Sequence, residues 1–227
     1  MIDAARPSRW DVLAYRDFRL FCLGRLMGGL GLQMQTVAVA WLVYALTGDP
    51  LALGLVGLAT FLPMLLLALV AGHVADRVER RHILLGCYLT STAVAVALLL
   101  LLASDAITTW WIFALVAVNG ASRAFLNPSG QALLPNLVPP EQLGQAVALN
   151  SSLMQVATIG GPALGGLLYA LGGTVVFAVA AVAFVLGVAP RRPRLHPLAQ
   201  GDLGRGLARS RRRAPGRGDR APADLRT

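Results

Sequence analysis

Six stretches of this chain are each long and apolar enough to cross a bilayer, and they leave little else for it to be. A spanning helix needs about 20 mostly apolar residues, because the hydrocarbon is about 30 Å thick and a helix rises about 1.5 Å per residue. The stretches run approximately over 20–46, 51–70, 83–103, 108–126, 143–171 and 175–189. They are continuous rather than alternating, and they exceed the roughly 9–11 residues of a membrane strand. Helices, not barrel strands, are predicted. A chain that is 56% hydrophobic and 14% charged is neither an ordinary soluble enzyme nor globally disordered. The fold class that follows is an all-α membrane protein with six transmembrane helices.

The net charge of +9 is unevenly placed. After Pro190 there are eleven Arg against three acids, and before it nine Arg against eight acids. All 20 basic residues are Arg, and with so much Ala, Gly and Leu this suggests a GC-rich, bacterial genome. Basic residues mark nearly every second connection. Arg6, Arg9, Arg16 and Arg19 lie in the N-terminal arm, Arg77, Arg80 and Arg81 in the second loop, and Arg191, Arg192 and Arg194 at the start of the tail. In the fourth loop only Arg123, just before it, carries a positive charge. The positive-inside rule then puts both termini in the cytoplasm of a multi-pass protein of the cell membrane. Cys22 and Cys87 both lie in apolar stretches and read as packing residues rather than a disulfide framework.

The spans are not plain anchors. Gly24, Gly28, Gly31 and Gln35 share one face of the first helix, and Ser151, Gln155, Thr158, Pro162 and Gly165 share one face of the fifth. Small residues let helices approach closely in lipid, which is one reading of these faces. The other is that Gln33, Gln35, Asn119, Asn150, Ser151 and Gln155 line a water-filled cavity, since amides in hydrocarbon need partners. Arg25 enters the first span. It either snorkels to the cytoplasmic interface or faces the cavity mouth, where it could meet an anionic substrate or Asp76. No acid lies mid-span, so a proton-coupled mechanism would need a titratable group elsewhere or would use Asp76.

The second loop reads GHVADRVERR from Gly72 to Arg81. Gly72 permits a tight helix exit, and Asp76 with Arg77, Arg80 and Arg81 forms a charged cluster between two helices. This segment resembles the loop signature of the major facilitator superfamily, with Glu79 where a second Gly is common. GPALGG at Gly161–Gly166 resembles that superfamily's fifth-helix antiporter motif. Leu32–Pro63 and Asn127–Ser152 are similar to the branch holding enterobactin (siderophore) exporters and drug-efflux proteins, with Ser129 or Gly130 where the branch has a basic residue. The resemblance implies a rocker-switch secondary transporter built of two six-helix halves, with a small-molecule substrate between them. It implies a gating loop of Gly72, Asp76, Arg77, Arg80 and Arg81. It also implies a bend and close-packing site at Gly161, Pro162, Gly165 and Gly166.

The resemblance stops near Ala189. The expected organisation is an arm over 1–17, a six-helix bundle over 18–190 and a basic, disordered tail over 191–227. The chain reads as the N-terminal half of a transporter, truncated, with a tail translated out of frame. A second copy or a separate C-terminal half would complete it. The alternative is a non-transporting membrane module, or an inactive fragment, whose Arg-rich tail binds anionic lipid or nucleic acid. The tail lacks the aromatic residues that stack on single strands, which disfavours nucleic acid. The sequence has no P-loop, no His/Cys cluster and no nucleophile with a base at motif spacing, so neither an enzyme, a metal nor a cofactor is expected.

Overall fold

Gly48 and Asp49 show how the first two spans are separated. Gly48 ends α1 (Arg16–Thr47) in the left-handed region at φ 63°, which glycine adopts at little cost. Asp49 then caps α2 (Pro50–Arg77), its carboxylate accepting from the Leu51 N–H at 2.8 Å, with Pro50 at the first helical position. The remaining long helices are α3 (Arg80–Ala103), α4 (Thr109–Leu133), α5 (Leu143–Ala170) and α6 (Gly173–Val188). Two single turns of 3-10 helix, Leu134–Asn136 and Pro140–Gln142, join α4 to α5. The computed structural model describes residues 15–188, except the side chains of Ala75, Asp76 and Asn136. The expected arm before Tyr15, the tail over 191–227 and the Asp76 carboxylate therefore lie outside the described residues.

All six predicted spans are helices, and five are long and apolar enough to cross a membrane. The sixth, α6, has 16 residues and rises about 24 Å. Two predicted boundaries need correction. The loop expected at Gly72–Arg81 is mostly helical: α2 runs through Gly72 to Arg77, and Arg80 already opens α3. Gly72 is thus inside a helix, where it lowers stability but does not end it. The connection is Val78 and Glu79 alone, with Glu79 Oε2 3.3 Å from His82 Nδ1. The fourth span does not stop at Leu126 either, because α4 continues through Pro128 to Leu133. A proline is tolerated there because neighbouring helices in a membrane bundle can satisfy the freed carbonyl.

The helices pack in two groups, α5 and α6 each against α1, and α2 and α3 each against α4. The groups meet most extensively where α3 lies against α6. Glycines set the closest approaches. A Cβ on Gly28 would overlap the Tyr88 ring, one on Gly31 would sit 3.0 Å from Phe184, and one on Gly120 would overlap the Thr60 carbonyl of α2. With lipid tails as apolar as the side chains, such close packing and interhelical hydrogen bonds hold the bundle.

Two apolar clusters lie one above the other. One holds Phe18, Phe21, Leu84, Tyr88, Leu126 and Phe184, and the other Met34, Leu42, Leu98, Ile112, Val116 and Phe177. Ser91 on α3, and Asn119 and Arg123 on α4, fall between them in sequence. An aromatic belt of Trp41, Trp110, Trp111 and Tyr169 marks the end of the bundle away from Arg16, Arg77 and Arg80, with Trp41 stacked on Tyr169 at 6.2 Å.

Candidate functional site

On the side away from the α3–α6 seam, α1 and α4 face one another across a shallow cleft flanked by α2. Its centre is Arg123. The side chain crosses from α4 to α1, where Nη2 donates to the Thr36 hydroxyl at 2.8 Å and to the Leu32 carbonyl at 3.3 Å. Thr36 in turn donates back to Leu32 O at 2.7 Å. Arg123 Nε is buried without a partner.

Beside this guanidinium is a cavity of about 30 Å³ lined by Gln35, Thr36, Thr60, Asn119 and Arg123, with Val39, Val56 and Val116. One water needs roughly 10–15 Å³, so a small polar group fits. Gln35 is 2% exposed, and neither amide atom has a partner. Asn119 is 6% exposed and accepts from the Ser91 hydroxyl at 3.0 Å. Valines on three helices make the rest of the wall, so the polar groups work in a low-dielectric setting where their interactions are strong.

Arg123 is the residue that sequence reasoning missed. A helix that ends at Leu126 leaves Arg123 three residues from a loop, where it marks topology alone. The observed helix puts it fifteenth of 25 residues, ten residues or about 15 Å from the last one. The missed signal was the run ALLP after Pro128, which continues the apolar pattern for two more turns.

The other predicted residues fall into distinct places. Gln35 and Asn119 line the cavity. Gln33 lies against α5, where a Cβ on Gly161 would come within 2.5 Å of its own Cβ. Asn150 is buried with Oδ1 unpartnered, while Ser151 and Gln155 lie on the exposed side of α5. Arg25 is drawn into the bundle. It is 5% exposed and lies against Gly130 on α4, where a side chain would overlap its guanidinium, and Nε has no partner. Gly130 leaves that space open, so the α1–α4 contact takes in the cation before it can reach the surface. The neighbouring Ser129 is fully buried, its hydroxyl also unpartnered.

Gly161 and Gly165 abut α1, a Cβ on Gly165 landing 2.9 Å from Met34 Cα, and Pro162 lies inside α5. Gly166 meets nothing within 4 Å. Arg80 Nη1 donates to the Ala132 carbonyl at 2.6 Å and so caps the C-terminal end of α4. Arg77 and Arg81 are exposed. Among the described residues no group of three His, Cys, Asp or Glu could hold a metal ion.

The profile of the transmembrane secretion effector family, within the major facilitator superfamily, matches residues 7–194. The chain is 27% identical over 135 residues to the macrolide efflux protein A of Streptococcus pyogenes, covering 60% of this chain and 33% of that protein. It is 30% identical over 179 residues to the multidrug efflux pump Tap of Mycolicibacterium fortuitum, covering 74% and 43%. It is 30% identical over 157 residues to the staphyloferrin A transporter of Staphylococcus aureus, covering 68% and 37%. The chain thus spans well under half the length of these curated relatives. A multi-pass helical bundle with a match over most of its length belongs to the transmembrane secretion effector family of the major facilitator superfamily, whose members are transporters and not enzymes.

Proposed function

We propose that this chain forms one six-helix half of a secondary active exporter of small molecules, working by alternating access with both termini in the cytoplasm. The observation that carries the reading is Arg123. A guanidinium in the middle of a membrane helix is costly against lipid, so the face that bears it meets water or protein. Thr36 on α1 is exposed on that face. The α1–α4 cleft is then one wall of a substrate path, and a second half of the same fold is the other. The two halves of such transporters are related by an axis along the membrane normal, so a second copy of this chain, or a separate half, has a suitable geometry.

Relatives named for macrolide efflux, multidrug efflux and staphyloferrin A support a drug-like or siderophore-like substrate. Gating is assigned to the end of α2 and the start of α3, with Gly72, Asp76, Arg77, Arg80 and Arg81. Arg80 ties the start of α3 to the end of α4, so a tilt of α4 is felt at this turn. Gly161 and Gly165 give α5 a smooth surface on α1, and Pro162 gives it a point to bend.

The test is erythromycin accumulation in bacteria lacking their own efflux pumps, with iron-limited siderophore secretion measured alongside. The full chain should lower accumulation or raise secretion in energised cells, and a crosslinked two-copy form should be recoverable. A chain that remains strictly single and changes neither quantity would overturn the reading.

A further inference from the structure

We infer that the cavity beside Arg123 is a subsite for a carboxylate, so that the transported molecule is anionic at the end it presents to α1 and α4. The inference rests on the transporter reading for the word "transported", but the binding site stands on geometry. Four observations converge. Arg123 places a permanent positive charge at the cavity, and its Nε is buried and unpartnered. Its bonds inside the protein go to neutral acceptors, Thr36 and Leu32, not to an acid. Gln35, 2% exposed, offers an amide whose two polar atoms both lack partners. The acids within residues 15–188 are Asp17, Asp49, Asp76, Glu79, Asp105 and Glu141, all in terminal turns or connections of the helices. Among the described residues no carboxylate pairs with Arg123.

A largely buried guanidinium without a counter-charge, in a cleft open to water, favours an anion from outside. Among anions, a carboxylate matches the forked donors of Arg by shape, accepting two parallel N–H bonds. The Gln35 amide N–H₂ adds a donor that a cationic or purely apolar ligand would leave unpaired, at a cost to its binding. The valines at 39, 56 and 116 would take the apolar part next to that group. A lipid phosphate could supply the same negative charge, so the source must be separated by experiment.

The test uses the full chain in phosphatidylcholine nanodiscs and three probes of one shape: 1-naphthoate, 1-naphthylmethanol and 1-naphthylmethylamine. Binding is read from the saturable broadening of the naphthyl proton signals. The carboxylate should bind at least about tenfold more tightly than the alcohol, the scale of a charge-assisted pair, and the amine more weakly still. Arg123→Gln should abolish the preference for the carboxylate over the alcohol. Arg123→Lys, which keeps the charge and loses the fork, should retain part of it. Arg19→Gln, an exposed cation on α1, should change nothing. Equal binding of carboxylate and alcohol, preference for the amine, or an unchanged preference in a folded Arg123→Gln would each overturn the inference. So would displacement of naphthoate by phosphatidylglycerol at ordinary membrane fractions, which would make the anion a headgroup. Selective binding without efflux would sink the transporter reading alone; efflux without selective binding would sink only this one.

Discussion

Gly120→Ala should loosen the contact between α2 and α4 on which one wall of the cleft depends. The new Cβ would lie 2.9 Å from the Thr60 carbonyl carbon and 3.0 Å from its Cα, with the carbonyl oxygen closer still. Ordinary contact begins at 3.4 Å and the carbonyl oxygen is the nearest atom, so α2 must retreat by more than about 1 Å. A gap of about 1 Å forfeits roughly half of each dispersion contact along the crossing. Backbone cannot rotate away as a side chain does, and overpacking of this kind costs about 1–3 kcal/mol. The gain in helix propensity, about 0.8–1 kcal/mol, offsets part of that. The net expectation is a loss of about 1 kcal/mol, with up to about 2 if α2 cannot follow. The assay is dodecyl sulfate titration of the purified chain, followed by far-ultraviolet circular dichroism. Gly57→Ala is the matched control, since that position on α2 meets nothing within 4 Å and should gain up to about 1 kcal/mol. Opposite signs at Gly120 and Gly57 are the signature. If both substitutions stabilise, or both destabilise equally, the close α2–α4 contact is not what holds this wall.

Two further outcomes follow from the same packing. Ser91→Ala leaves the Asn119 carbonyl without its bond across α3 and α4 and should destabilise the bundle by about 0.6–1.7 kcal/mol in the same titration. Asp49→Ala removes the cap of α2 and should cost about 0.5–2 kcal/mol, whereas Asp49→Asn should cost little, because an amide oxygen can accept from Leu51 as well.

The helices were legible because lipid imposes one rule on every span: about twenty apolar residues with all backbone groups paired along the helix. The glycine faces were legible as periodicity, though what each glycine meets was not. Gly24, Gly28 and Gly31 proved to be packing positions, buried against α3 and α6, while Gln35 on the same face lines the cavity. Helix ends were less legible. Gly72 and Pro128 are breakers in water, but inside a bundle neighbouring helices can supply what the backbone loses, and both helices ran on. That misplacement hid Arg123. Arg25 was hard to place for another reason: whether it reaches the surface depends on the empty side of Gly130, about a hundred residues away in sequence. Ser129 was recognised only as a departure from the family pattern, and its burial beside Gly130 is a tertiary fact that no local spacing reveals.

The central claim is that the α1–α4 cleft is open to water while the outward side of α6 is not. It is tested most directly by labelling single added cysteines with a hydrophilic, membrane-impermeant maleimide in proteoliposomes. Cys22 and Cys87 are buried and give little background. Thr36→Cys on the cleft should label, and Val182→Cys, on an exposed and wholly apolar stretch of α6, should not. Equal protection of both positions would contradict a water-accessible cleft, and preferential labelling at position 182 would reverse the assignment of the two faces.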